Sequence, residues 1–489
     1  MIRLTRRQTL ASAAALCAAG PALAQNAAPP PPRPLFGARH WRLANGLEVA
    51  FIPFSRAPVV TQYLFFAAGG AEDPAGRSGV AHFLEHMMFK GSPKVGVGDF
   101  SRLVAREGGN DNAFTSRDVT AYHQAVEASR LGMILEMEAD RMAAALIPQE
   151  FLESERGVVL EERQQRTDSN PRARFREAFT AALWGRQHWA GRPIIGWEDE
   201  IRAISRDDLA GFHARFYAPS NATLVISGAV PEDEVRRLVD QHYGGIPARQ
   251  AARRDRAPAP AQAVEPRLIR RDPMTRDALF LKAWMAPSLT AGERAHALPL
   301  EVLSHLLGGG QGSRLHKALV ESGLAVSAGT GYDGDAAGMT EFYLSAMPRP
   351  GVTPERLEEA VNGVIETLIQ QGPTEAEVAR SIRQLTAGAM LALDGFGAGP
   401  RMVGGTLAIG LPLEAVEFWP ARISAVTRDQ VEAAARAVLP SAPNTAAWLV
   451  EDHSVPVVSL SWSWPGGNKG HGWLEVRLLR TSTELDDYL

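Results

Sequence analysis

Apolar and polar positions alternate from Trp41 to Phe66 around turn signals such as Asn45-Gly46, and this period of two predicts paired strands. From Gly79 to Phe89 the period lengthens to that of a helix. A longer helical region runs from about Ser129 to Thr167, broken near Pro148. The stretch NATLVISG, Asn221 to Gly228, is a continuous apolar run of strand length and reads as a buried strand. Residues 248–267, ARQAARRDRAPAPAQAVEPR, carry no apolar period and read as a linker.

Beyond that linker the order restarts, with a strand over Ala278–Trp284, a helix over Ala295–Leu307 and a glycine-rich turn. Laying HFLEHMMFKGS over EVLSHLLGGGQ puts Glu301 at the place of His82, Ser304 at Glu85 and His305 at His86. The repeated order predicts an internal duplication in which the first copy kept its polar pattern. The expected fold class is α+β: two homologous α/β-sandwich domains, each a mixed, largely antiparallel sheet flanked by helices. The boundaries are 39–247 for the first domain and 268–452 for the second, with an atypical tail over 453–489.

The N-terminus stands apart from this pattern. Residues 1–24 combine Arg3, Arg6 and Arg7 with a short apolar run and Ala22-Leu23-Ala24, a secretory signal peptide cleaved after Ala24. Its TRRQTL segment also resembles a twin-arginine signal, and a Sec signal is the other reading. Either implies a periplasmic or secreted bacterial protein. A proline-rich leader, 25–38, follows. The one cysteine, Cys17, lies inside the signal, so any metal on the mature chain must be held by His, Asp or Glu. Composition is that of a soluble globular chain, 45% hydrophobic and 22% charged, with no candidate membrane anchor. The net charge of -4 argues against nucleic acid as a partner.

The candidate chemistry begins at HFLEHMMFKG, His82 to Gly91. On a helix, residues i and i+4 share a face, so His82 and His86 can present imidazoles to one ion, with Glu85 close by. The bland alternative is a polar-edged helix turn. A catalytic zinc usually takes three protein ligands, so this pair predicts a third elsewhere. In ESERGVVLEERQQ, Glu155 and Glu162 lie two turns apart on one face. Glu162 can complete a His₂Glu set with Glu155 supporting it, or both belong to a solvated acidic face. In GGNDNAFTSRDVTAYHQ, residues Asn112 to Tyr122 have strand composition, either an edge that an extended peptide can pair with or an ordinary hairpin.

Together, LANGLEV, SGVAHFLEHMMFKGS, GGNDNAFTSRDVTAY, ERGVVLEE, GRPIIGWEDEI and FYAPSNATLVISG resemble the pitrilysin/insulinase family of zinc metallopeptidases, the inverzincins with H-x-x-E-H. LGGGQGSRLHKALVESGLAVSAG fits that family's paired domain. The resemblance is to the two-domain type, such as the catalytic (beta) subunit of mitochondrial processing peptidase and bacterial processing proteases. It implies one Zn2+ per chain, with His82, His86 and Glu162 as ligands and Glu85 as general base. Asn112, Ala113 and Phe114 would pair with a peptide substrate in a chamber between the two domains.

One departure stands out. The family's chamber is completed by an Arg and a Tyr of the second domain, and here Leu319 and Val326 hold those places; Arg314 belongs to the preceding G-S-R-L segment. The resemblance therefore implies a heterodimer with a peptidase-like subunit that lacks H-x-x-E-H and supplies Arg and Tyr, a homodimer being the other form. The competing reading is a non-catalytic assembly or metal-binding protein on the same fold. The tail segment HSVPVVSLSWSWPGG resembles APVVTQYLFFAAGG near the chain start; it is either the beginning of another domain or a strand capping the second.

Overall fold

The computed structural model describes residues 32–260, 266–393, 395, 397–440, 444–452, 457–463 and 471–477, the last two as backbone alone. The expected signal peptide and the first half of the proline-rich leader, 25–31, lie outside the described residues, as does most of the tail. In the first half, strands β1 (Arg39–Arg42), β2 (Glu48–Pro53), β3 (Val59–Phe66), β4 (Asn110–Thr115), β5 (Thr120–Glu127) and β6 (Ala222–Gly228) form one sheet, ordered β1-β2-β6-β3-β5-β4. The helices are α1 (Val80–Met87), α2 (Asp99–Arg106), α3 (Leu131–Ala144), α4 (Leu152–Arg163), α5 (Pro171–Trp184), α6 (Glu198–Ala203), α7 (Arg206–Phe216) and α8 (Glu232–Tyr243).

The strands expected around Asn45-Gly46 are β1 and β2, which pair antiparallel. β3 does not continue that hairpin, because β6 enters between β2 and β3, parallel to β2 and antiparallel to β3. The segment Asn112 to Tyr122 is not one strand but the end of β4, a tight turn and the start of β5. This hairpin leaves β4 at the sheet's edge.

The second half repeats the plan. Strands β7 (Arg267–Asp272), β8 (Leu279–Ala286), β9 (Ala325–Tyr332), β10 (Thr340–Pro348) and β11 (Asn444–Glu451) are ordered β7-β11-β8-β10-β9. Each sheet has one parallel pair, β2 with β6 and β7 with β11, and the late strand is inserted in the same place. The helices are α9 (Ala297–Gly308), α10 (Pro354–Gln371), α11 (Glu375–Ala392), α12 (Ala398–Ala408), α13 (Glu414–Glu417), α14 (Trp419–Ser424) and α15 (Arg428–Val438). In the tail, β12 (Val457–Ser463) pairs with β13 (His471–Arg477) as a separate two-stranded sheet, so its backbone does not extend the second sheet.

Strand side chains alternate between two buried faces, which is why β6 reads as an unbroken apolar run. Leu224 and Ile226 pack with α1, α3, α4, α7 and α8, while Val225 points the other way, with Tyr63 and Phe65. That other face is covered from the second half, by Val403, Leu407 and Ala408 of α12. Gly404 permits the approach, since a Cβ there would lie 2.0 Å from the Phe65 ring. The exchange is mutual: Phe175, Phe179, Leu183 and Trp184 of α5 pack on Leu281, Ala283, Ala447 and Leu449 of the second sheet. The two α/β domains thus interlock, each lending a helix to the other's sheet.

The connecting segment is also built in. Arg254 donates to the carbonyls of Ala67, Asp118 and Ala408. Arg256 pairs with Glu72 at 2.7 Å and with Asp118, and its side chain is only 9% exposed. Asp118 in turn accepts from the Ala337 N–H of the second half at 3.1 Å. The described part of the expected linker, 248–260, is thus tied to both halves, because Arg254 and Arg256 find carboxylates or carbonyls distant in sequence.

Candidate metal centre

Helix α1 begins at Gly79, whose φ of 92° suits a residue without Cβ and whose absent side chain cannot cap the helix. Asp73 does that from outside, accepting from Gly79 N at 2.7 Å and Ala81 N at 2.8 Å. Full burial still pushes the Asp73 carboxyl up to about 7. Three residues into this anchored helix comes His82, and one turn later His86; their ring centroids lie 4.8 Å apart.

Helix α4 lies against α1 and brings the acids. Glu162 Oε2 is 3.6 Å from His82 Nε2 and 3.3 Å from His86 Nε2. One ligand atom from each of the three residues fits within 4.8 Å of the others, the one such group of three or more His, Cys, Asp or Glu side chains among the described residues. Glu155 Oε1 lies 3.0 Å from His86 Nδ1, and its Oε2 is paired with Lys90. In the neutral imidazole, donation from Nδ1 to this carboxylate would leave the Nε2 lone pair free for an ion. His82 Nδ1 is buried with no hydrogen-bond partner.

The electrostatics follow from that crowding. Burial alone lowers the His86 imidazole, but the hydrogen bonds it donates to Glu155 and Glu162 push it up to about 9. Hydrogen bonds from His82 and His86 hold Glu162 far below the usual carboxylate range. Burial would raise Glu155, yet His86 and Lys90 lower it. Two imidazoles and a fully ionised carboxylate converging on one point make a donor set suited to a divalent cation such as zinc.

Glu85 sits beside this cluster, its Oε2 accepting from the Thr115 hydroxyl at 2.5 Å. Thr115 ends β4, so edge strand and metal cluster share a cavity of about 530 Å³ lined by His82, Glu85, His86, Asn112, Ala113 and Phe114 among others. All eight site residues predicted from sequence, Glu155 included, are brought together here. Three contributors were not foreseen: Lys90 on Glu155, Arg166 at 2.5 Å from Glu162 Oε1, and Thr115 on Glu85. Lys90 and Arg166 each stand four residues past a named site residue, a spacing that points them to the same face.

The second half has lost this arrangement. Glu301, at the His82 place, is half-buried, accepts from Trp419 Nε1 at 3.2 Å, and is pushed by desolvation up to about 7. Leu319 is fully buried in the second core, and Val326 is exposed on the edge strand β9. Arg314 is paired with Glu377 at 2.8 Å. Among the described residues, no helix is long and apolar enough to cross a membrane.

Comparison with known proteins agrees with this division. Residues 49–196 match the profile described as Insulinase (Peptidase family M16), and residues 203–385 match Peptidase M16 inactive domain. Zinc protease PqqE of Helicobacter pylori is 30% identical over 343 residues, 69% of this chain and 76% of that protein. Mitochondrial-processing peptidase subunit beta of Lentinula edodes is 26% identical over 375 residues, 72% of this chain and 77% of that one. A crystal structure of a protease from Helicobacter pylori superposes with a TM-score of 0.78 at 24% identity, covering 85% of this chain and 99% of the other.

Proposed function

This chain belongs to the insulinase family, peptidase family M16, and from that premise we propose that it is an exported zinc-dependent endopeptidase acting on peptides or unfolded segments. The observation that carries the reading is the convergence of His82, His86 and Glu162 next to Glu85, at the open edge of β4. His82, His86 and Glu162 would hold one zinc ion per chain. A bound zinc supplies Lewis acidity, polarising a carbonyl and lowering the pKa of water toward about 7.

The chain's own residues do the rest. A peptide laid along Asn112, Ala113 and Phe114 adds a strand to the sheet, its main chain held by backbone hydrogen bonds. The Ala113 N–H now donates to Asn112 Oδ1 at 2.8 Å, a local bond that an incoming carbonyl replaces. Glu85, oriented by Thr115, takes a proton from the attacking water and returns it to the leaving amine. Glu155 and Lys90 fix the orientation of His86.

Leu319 and Val326 support a partner requirement, since neither can donate to a developing oxyanion as Arg and Tyr do. A peptidase-like subunit without H-x-x-E-H would bring that pair. The same two positions favour the second reading, a non-catalytic assembly or metal-binding protein. Zinc content and peptide hydrolysis decide between them, for wild type and Glu85→Gln, with and without the partner. The expected result is equal zinc in both chains and a loss of about 10²–10⁴ in turnover for Glu85→Gln. Retention of both zinc and activity by Glu85→Gln would overturn the mechanism.

A further inference from the structure

Beside the metal cluster lies a second cavity, of about 560 Å³, reached by continuing past the end of β4. It is lined by His82, Thr115 and Glu162 of the first half and Glu341 of the second, so it opens between the two domains. Four arginines line it: Arg117, Arg166, Arg176 and Arg192. Three have their charge or donors committed. Arg166 is paired with Glu162, and Arg176 with Glu341. Arg192 has an unpaired Nε, but both its terminal nitrogens donate, to the carbonyls of Ala71, Asp73 and Pro74.

Arg117 is different. Its Nε is shut from solvent and makes no hydrogen bond, and its guanidinium forms no ion pair among the described residues. The nearest acids are otherwise engaged: Asp118 pairs with Arg256 and accepts from Ala337 N, and Asp333 accepts from Asp335 N. Their charges support the Arg117 cation while burial and Arg256 oppose it. A half-buried guanidinium without a bonded anion is costly to keep, and the cost falls when a carboxylate supplies the fork-shaped pair it is built for.

We propose that Arg117 binds a carboxylate of the peptide substrate, making the cavity beside the metal cluster a subsite selective for acidic peptides. The inference rests on the peptidase reading of the site and deepens it. A peptide running along Asn112, Ala113 and Phe114 passes Thr115, which holds Glu85, and enters this cavity within a residue or two at about 3.3 Å per residue. The carboxylate belongs either to an Asp or Glu side chain or to the peptide's own C-terminus. Bidentate pairing in this enclosed setting favours the acidic ligand by about tenfold or more.

Binding tests this without turnover. Fluorescence anisotropy measures affinity of the full-length Glu85→Gln chain, loaded with zinc, for three labelled peptides of one length. One has Glu and a free C-terminus, one has Gln in place of Glu, and one ends in an amide. Removing the relevant carboxylate should weaken binding about tenfold, and adding Arg117→Gln should bring that ratio close to one. Which arm responds identifies the source of the carboxylate. Zinc content and the thermal transition check that Arg117→Gln folds. Should it fail, Arg117→Lys keeps the charge without the fork and should shrink the ratio severalfold. The proposal is overturned if all three peptides bind alike, if none binds, or if the ratio is the same with and without Arg117. A wild-type chain that binds selectively yet cleaves nothing with its partner present would refute the peptidase reading alone.

Discussion

Removing the charge of Glu155 tests whether the residues behind the ligands set the affinity of the metal centre. In Glu155→Gln an oxygen remains to accept from His86 Nδ1, now 3.0 Å from Glu155 Oε1, but the bond loses its ionic character and Lys90 loses its partner. A charge-assisted bond is about twice as strong as a neutral one, so the change removes about 1 kcal/mol from the support of His86. Glu155→Ala goes further and leaves a half-buried N–H with nothing to bond, a cost of about 1–3 kcal/mol. These figures place zinc affinity about tenfold lower for Gln and up to about 100-fold lower for Ala. Competition with a chelator of known affinity, followed by zinc analysis of the dialysed protein, gives the number. The far-ultraviolet circular dichroism of each variant should match wild type. An unchanged zinc affinity in Glu155→Ala would show that His86 needs no help from α4, and the account of its tautomer would fall.

Two further outcomes concern stability. Asp73→Ala strips both acceptors from the start of α1 and should lower the unfolding free energy by about 2 kcal/mol in a urea titration; an unchanged midpoint would mean that α1 needs no external cap. Glu301 is held by burial near 7, so its neutral form favours the folded state. Its contribution is complete below the ordinary carboxylate range and is lost as pH rises through about 7. Stability should therefore fall between pH 5 and pH 8 by up to about 3 kcal/mol more in wild type than in Glu301→Gln. Parallel pH profiles of the two proteins would contradict it.

The metal cluster was legible because its parts are local in sequence. His82, Glu85 and His86 share one helix, and Glu155 and Glu162 share another, so helical spacing alone grouped each set. That α1 and α4 meet is a tertiary fact, and it entered through the family resemblance rather than through periodicity. Lys90 and Arg166 obey the same spacing and were readable in principle. Thr115 was not, because nothing in a strand's pattern says which helix side chain it will reach. The packing of the connecting segment was hidden for a related reason: its composition shows no apolar period, while Glu72 and Asp118, the partners of Arg256, lie far along the chain. The insertion of β6 between β2 and β3 was hidden in the same way, since a buried strand's sequence does not name its neighbours.

The interlocking of α5 and α12 bears on why a copy that lost its chemistry is still there. A chain ending after the first half would leave Ile52, Tyr63, Phe65 and Val225 without α12, and a bare sheet face of that kind invites aggregation. Selection on the His82, His86 and Glu162 cluster alone is then enough to preserve the second half, as a fold-completing surface rather than as a reagent. Its sequence is free to drift wherever it does not touch the first sheet, the cavity shared by the two halves or its own core. Mutations remote from the His82, His86 and Glu162 cluster should therefore act first on expression and solubility, and only through those on the proposed peptidase activity.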